Sequence, residues 1–437
     1  MKTVTLPPYA PTLIESTRAM GYTLEAAIAD ILDNSISAGA SNIDIFFFPV
    51  DAHIAILDNG HGMDACKIDS AMRYGSKSPI EKRDTNDLGR FGLGMKTASL
   101  SQCRTLTVVS KQGECVEARR WDIDHVAKMG DWSMLILEEH ELNDIPYIYN
   151  LGELDSGTLI LWQNMDRLSA GELDSAQAMG KKMDIVRTHL SLVFHRYLNG
   201  ETGLRKVKMS INSKAIKATD PFLSDRYTQV MDDEIIEING ALIIVRSYIL
   251  PHISKLSSSE IVSLGGKDGL RKSQGFYVYR NKRLLVWGTW FRMMRKGELS
   301  KLARVQVDIP NELDNLWTID IKKSTAVPPA IVRNNLGIII ERLAEQSKKT
   351  WVYRGKKEIK DDIVHVWNRN KGRVGIFYEI NRDHPVVEVF NSASPEVQRN
   401  VQALLKAIET SIPLNQLYLD LTSEVQVENM QTYIIKE

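Results

Sequence analysis

The stretch from Glu25 to Ala40, EAAIADILDNSISAGA, decides the reading of this chain. Ala27, Ile28, Ile31, Leu32 and Ile36 recur at helical spacing, which predicts an amphipathic helix. Thr23 suits its N-cap and Gly39 its stop. Asp30 and Asn34 stand four apart and so share a face. Asp30 and Asp33 are carboxylates in a mostly apolar neighbourhood, where each needs an ion pair, a hydrogen bond or a metal. Taken alone, the stretch also reads as a surface helix whose polar stripe faces water. The segments around it decide between the two.

Downstream, Asn42 to Val50 and His53 to Leu57 are strand-like and lead into Asp58-Asn59-Gly60-His61-Gly62-Met63. A carboxylate at a strand end followed by Gly-x-Gly suits a backbone that another group approaches closely; Asn-Gly by itself also marks an ordinary turn. Gly75 to Leu88 is polar and turn-rich. It runs into Gly89-Arg90-Phe91-Gly92-Leu93-Gly94-Met95-Lys96-Thr97-Ala98-Ser99. These glycines precede a helical run, so backbone N–H groups at a helix N-terminus are available to phosphate oxygens. No Gly-x-x-x-x-Gly-Lys-Ser/Thr loop occurs, and the segment before the glycines is not the strand of a dinucleotide-binding unit. Leu106 to Ser110 and Val116 to Trp121 read as strands, and Asp155-Ser156-Gly157-Thr158-Leu159-Ile160-Leu161-Trp162 places Gly-Thr at the opening of another.

Four elements therefore appear in order: an acidic–Asn helix, Asp-x-Gly-x-Gly, a loop ending in Gly-x-x-Gly-x-Gly, and Gly-Thr on a late strand. Together they resemble the GHKL (Bergerat-fold) ATPases, the superfamily of gyrase, the ninety-kilodalton heat-shock chaperone, histidine kinases and MutL. SISAGA, Ser35 to Ala40, and LGRFGLGMKTAS are closest to the MutL/MORC-like branch. The resemblance implies an α+β fold: a GHKL sandwich of mixed sheet and helices over 1–170. A transducer domain (ribosomal S5-like) over 171–350 and a small C-terminal unit over 351–437 would follow it.

The resemblance also implies roles. Asn34 would hold Mg²⁺ on the nucleotide phosphates. Asp58 would accept the adenine amino group, with Gly60, Gly62 and Met63 beside the base and Thr158 supporting that end. Gly89, Phe91, Gly92, Leu93, Gly94 and Met95 would wrap the phosphates of ATP. Lys96, Thr97 and Ser99 stand near enough to assist, and which of them touches phosphate is open. Asp30 sits where MutL-like members carry the glutamate that activates water. Aspartate keeps the chemistry on an arm one methylene shorter, and in-line attack depends on position.

The 437 residues leave room for two or three domains. Lys+Arg and Asp+Glu are both 55, so no global field points to nucleic acid or membrane. No apolar run approaches the roughly 20 residues of a membrane span. Cys66, Cys103 and Cys115 show no metal or disulfide spacing. A cytoplasmic location is the expectation.

Glu172 to Leu198 is a long helical pattern. Short strands are expected near Val207 to Ile211 and Ile235 to Val245, and a flexible basic loop over Gly265 to Lys272. Gln274 to Gly288 and Trp317 to Lys323 read as strands. By resemblance, Lys323 (or its neighbour Lys322) would reach the γ-phosphate; two solvated lysines at a strand end are the alternative. Lys267 to Arg304 holds eleven Lys/Arg and two acids, with Tyr277, Tyr279, Trp287, Trp290 and Phe291 between them. A basic, aromatic-bearing face of that kind can bind nucleic-acid backbone, with Arg280, Lys282 and Arg283 among the bases. After Trp351, Val374 to Ile380 is strand-like and Ser394 to Ser411 helical.

The resulting expectation is a Mg²⁺-dependent ATPase whose nucleotide-driven homodimer closes on DNA or a partner protein. Operon-encoded partners and a restriction or phage-defence setting follow from the resemblance alone. The alternatives are an ATP-gated switch that hydrolyses little, and a chaperone-like ATPase with protein clients.

Overall fold

Proline and glycine bound the first helices. Helix α1 (Ala10–Arg18) carries Pro11 in its first turn, and Gly21 takes a left-handed turn (φ +71°) before the next helix. In α2 (Leu24–Ser37) the Thr23 hydroxyl caps the first turn by accepting from the Ala26 N–H at 3.4 Å. The computed structural model describes residues 3, 4, 6, 8–19, 21–75, 88, 94–168, 174–224, 228–252, 255–264, 266–297, 300–314, 316–319, 326–352, 366–371 and 376–411. The chain forms two compact units, Met1–Trp351 and Val352–Glu437.

The first unit holds two large sheets. The first sheet comprises β1 (Asn42–Phe48), β2 (His53–Asp58), β3 (Thr105–Gln112), β4 (Cys115–Asp122), β5 (Leu135–Ile136), β6 (Ser156–Gln163), β7 (Lys208–Ile211) and β8 (Lys214–Ala215). Its order is β5-β4-β3-β6-β2-β1-β7-β8, with β1 and β7 parallel, so the sheet is mixed. Strand β2 is buried on both faces. Ile54 and Ile56 face the core of α2 and the helix Ser175–Val193, while Ala55 and Leu57 face a second core with Leu137, Ile145 and Leu151. That double burial explains why β2 reads as a continuous apolar run rather than an alternating one. Ala27, Ile28, Ile31 and Leu32 of α2 are fully enclosed; each large aliphatic among them contributes about 1.5–3 kcal/mol by leaving water. Two further helices, α3 (Ala65–Met72) and α4 (Gly94–Gln102), complete the layer around α2.

The second sheet comprises β9 (Gln229–Val230), β10 (Glu234–Ile238), β11 (Ala241–Ile249), β12 (Gly275–Arg280), β13 (Arg283–Thr289) and β14 (Ala303–Ile309). Its order is β10-β11-β14-β12-β13, with β9 on β11 and β12 parallel to β14. Val332, Leu336, Ile339, Ile340 and Leu343 of the helix Ala330–Val352 pack into its core at helical spacing. A mixed α+β architecture with a helix-covered mixed sheet is what the four elements imply.

Several local expectations change. Residues 266–272, expected as a flexible loop, form a helix, because Leu270 anchors the segment in the second core. Gln274 to Gly288 is a hairpin rather than one strand: Asn281 and Lys282 both take left-handed conformations (φ 48° and 65°) and turn β12 into β13. Of Trp317 to Lys323, Thr318–Ile319 pairs with Ala326–Val327, and 320–325 lie outside the described residues. In the second unit, Trp367–Lys371 pairs with Ile376–Ile380, and Pro395–Thr410 is helical.

The basic stretch also reads differently in three dimensions. Arg280, Arg283 and Arg304 are buried, and Tyr277, Tyr279 and Trp290 are core residues. Arg280 forks onto Asp314 with bonds of 2.7 Å from Nε and Nη2. Strand alternation thus sends part of the charge inward to paired positions, and Lys267 to Arg304 is not one open basic face. Among the described residues, the exposed bases there are Arg271, Lys272, Arg292, Arg295 and Lys296.

Candidate nucleotide site

Asp58 closes β2 and is almost wholly buried. Ser35 Oγ, from the next turn of α2 past Asp30, donates to its Oδ2 at 2.7 Å, and the Gly60 N–H donates to Oδ1 at 2.9 Å. Burial pushes the carboxyl up from its ordinary value; the bonds from Ser35 and Gly60 pull it back. A carboxylate has about four acceptor sites, so two donors fix its orientation and leave capacity for an amino group.

The glycines after Asp58 are dictated by contact. A Cβ on Gly60 would fall 2.9 Å from both the Ala38 Cβ and Asp58 Oδ1. On Gly62, whose φ is +66°, it would fall 2.0 Å from the Lys111 carbonyl oxygen. Thr158 lies directly across the β2–β6 ladder from Asp58. Its hydroxyl is 3.1 Å from Ser110 Oγ, which also accepts from the Met63 N–H at 2.8 Å. Asp58, Met63, Ser110 and Thr158 are therefore one hydrogen-bonded end of the sheet.

The polar side of α2 adjoins it. Asn34 is exposed, and its amide Nδ2 donates to the Asp30 carbonyl at 3.1 Å. Oδ1 is then the end of the amide that a metal ion would take. Among the described residues no cluster of three or more His, Cys, Asp or Glu forms a metal cage. A single Asn oxygen fits Mg²⁺, which keeps waters and phosphate oxygens as its other ligands. Bound there, the ion would supply charge neutralisation at the phosphates.

Asp30 is buried and accepts from Tyr22 Oη at 3.1 Å through Oδ2. The start of α4 stands over it: a Cβ on Gly94 would lie 3.8 Å from Asp30 Oδ2. The first N–H groups of α4 lack partners within the helix, and they begin beside the Asp30 carboxylate. Lys96 of α4 is buried and donates to the Ala71 carbonyl at the end of α3 at 2.7 Å; burial lowers its ammonium to about 8. Thr97 and Ser99 are also buried. Gly89, Phe91, Gly92, Leu93, Lys322 and Lys323 lie outside the described residues.

Sequence reasoning gave no site role to Ser35, Ser110 or Tyr22, and it set Arg283 on a nucleic-acid face, whereas the side chain is buried against α2. Ser35 follows Asn34 and lies in the motif itself, so its signal was present. Ser110 is found only through the β3–β6 register, in which it faces Thr158. Arg283 Nε donates to Asp33 Oδ1 at 3.2 Å from 250 residues away, a partnership without local signal.

Residues 22–158 match the histidine kinase-, DNA gyrase B- and HSP90-like ATPase family. No curated protein matches the sequence. One similar solved structure is described as the N terminal domain of a DNA repair protein. It is 16% identical, with 78% of this chain and 97% of that chain covered and a TM-score of 0.44. The family match spans Asp30, Asn34, Asp58, Gly60, Gly62 and Thr158. Residues 22–158 are thus an ATPase domain of the histidine kinase-, DNA gyrase B- and HSP90-like family, the GHKL ATPases.

Proposed function

We propose that this chain binds ATP with Mg²⁺ between α2, β2 and α4 and hydrolyses it. In this reading, turnover drives two copies to close on DNA or on a partner protein, in the manner of MutL- and MORC-like ATPases. The observation that carries it is the Asp58 carboxylate, oriented by Ser35 and Gly60 beside Thr158, on the same helix-and-sheet end as Asn34 and Asp30. Asp58 accepts the adenine amino group. Asn34 Oδ1 holds the metal, and the N–H groups at the start of α4 meet phosphate. Asp30 accepts a proton from the water that attacks the γ-phosphorus, and ADP leaves with the bridging oxygen.

Single-turnover hydrolysis by the purified protein tests this reading. Asp30→Ala is expected to lose about 100-fold or more in rate, the range of a general base, while still binding a non-hydrolysable analogue. An unchanged rate in Asp30→Ala removes the base assignment.

One observation favours a second reading. The Asp30 side chain is short and one of its oxygens already accepts from Tyr22 Oη, an arrangement that suits a switch holding ATP with little turnover. Stoichiometric ATP binding without measurable phosphate release would favour it.

A further inference from the structure

The β12–β13 hairpin belongs to the second sheet, yet its turn reaches the nucleotide site. Tyr197 Oη donates to the Asn281 carbonyl at 2.6 Å, which fixes the turn. Arg280 Nη1 donates to the Leu88 carbonyl at 3.1 Å, six residues before α4 in sequence. Arg283 points to α2: Nε donates to Asp33 Oδ1 at 3.2 Å, and Nη2 lies 3.9 Å from Asp30 Oδ1. Its guanidinium carbon also lies 5.8 Å from the centre of the Phe194 ring. All three charged side chains are buried, Arg283 at 5%, Asp30 at 4% and Asp33 at 1% exposure.

A guanidinium is costly to bury without compensating charge. Here Asp33 takes a hydrogen bond and Asp30 a charge contact at 3.9 Å, from positions three residues apart on the same helix. One of them is the carboxylate assigned to water activation. Without the cation, two buried carboxylates would stand close together without a compensating charge, and Asp30 would lose one of the groups that hold it beside the start of α4.

We propose that Arg283 is a positioning residue for ATP hydrolysis: shared between Asp33 and Asp30, its guanidinium holds the Asp30 carboxylate in place and makes turnover depend on the seat of the β12–β13 hairpin. The inference rests on the ATPase reading and on Asp30 as base. It assigns to the second sheet a direct hold on the reacting end of α2.

The full chain tests it. Unmutated protein is assayed first for binding of a non-hydrolysable ATP analogue and for hydrolysis; absence of both overturns the ATPase reading and the proposal with it. In Arg283→Ala, kcat is expected to fall about 30-fold or more, since misplacement by about 1 Å costs on the order of 100-fold. Affinity for the analogue stays within about threefold, because the guanidinium positions the base and does not bind nucleotide. Millimolar guanidinium restores part of that rate and sodium at equal ionic strength does not. Arg283→Lys keeps the charge without the fork; it covers the case in which the alanine variant does not fold, and its kcat falls between the other two. A kcat equal to that of unmutated protein in either folded variant overturns the proposal while leaving the ATPase reading intact. So does a loss that follows analogue affinity or melting temperature and is not rescued by guanidinium.

Discussion

Ser35 Oγ donates to Asp58 Oδ2 at 2.7 Å across 23 residues of sequence, joining α2 to the end of β2. Removing one donor from a buried carboxylate costs about 1–3 kcal/mol. Ser35→Ala is expected to lose stability of that order in urea titration. It also weakens binding of an ATP analogue several-fold in calorimetry, because Asp58 is no longer held in one orientation.

Gly157 touches the same carbonyl end of β2. A Cβ there would fall 2.2 Å from the Asp58 backbone oxygen, and backbone cannot swing aside as a side chain does. Gly157→Ala should therefore force β6 from β2 and cost about 1–3 kcal/mol, the range for overpacking. Gly152→Ala, where nothing lies within 4 Å of the added carbon, serves as the control and should be close to neutral in the same denaturation series.

His195 reports the packing between the helix His195–Asn199 and the second sheet. Its Nε2 lies 2.8 Å from Tyr279 Oη, and burial lowers the imidazole from 6.5 to about 4. Above pH 6.5 the ring is neutral in folded and unfolded chains alike. As pH falls from 6.5 to 4, the unfolded chain takes up a proton that the folded chain refuses, so stability is lost. The single-site contribution is at most about 2–3 kcal/mol. His195→Gln should flatten the stability curve between those limits relative to unmutated protein.

Among the described residues, Arg271, Lys272, Arg292, Arg295 and Lys296 are the exposed bases of the basic stretch and the ones a polyanion can reach. If DNA is the partner, replacing them with Gln should lower affinity in filter binding or anisotropy. The slope of log affinity against log salt should also become shallower by about 0.9 for each phosphate that is no longer neutralised. Arg304→Gln, at a position with no exposure, should instead show as a loss of melting temperature.

How much of this was legible depended on how far apart in sequence the interacting residues lie. The α2 helix, its Thr23 cap and the Asp58 turn are local, so helical spacing and Gly-x-Gly were enough. The helix at 266–272 was hidden because Gly265, Gly266 and Gly269 mask the one apolar anchor, Leu270. The direction of Arg280, Arg283 and Arg304 was not legible. Alternation gives the two faces of a strand but not which one meets α2, and the carboxylates that pair with Arg280 and Arg283 lie 34 and 250 residues away. Ser110 became visible only when the β3–β6 register set it against Thr158. Lys323, Gly89 and Gly92 lie outside the described residues, and their roles stay with the proposal.

Isothermal titration of the full chain with non-hydrolysable ATP and GTP analogues in Mg²⁺ tests whether Asp58 recognises the adenine base. A buried carboxylate that accepts an amino group rejects a base presenting a carbonyl there, because both oxygens would face each other without a proton. The predicted result is one ATP analogue per chain, with GTP at least about 100-fold weaker and the preference lost in Asp58→Ala. Equal affinity for the two nucleotides, or no binding of either, would contradict it.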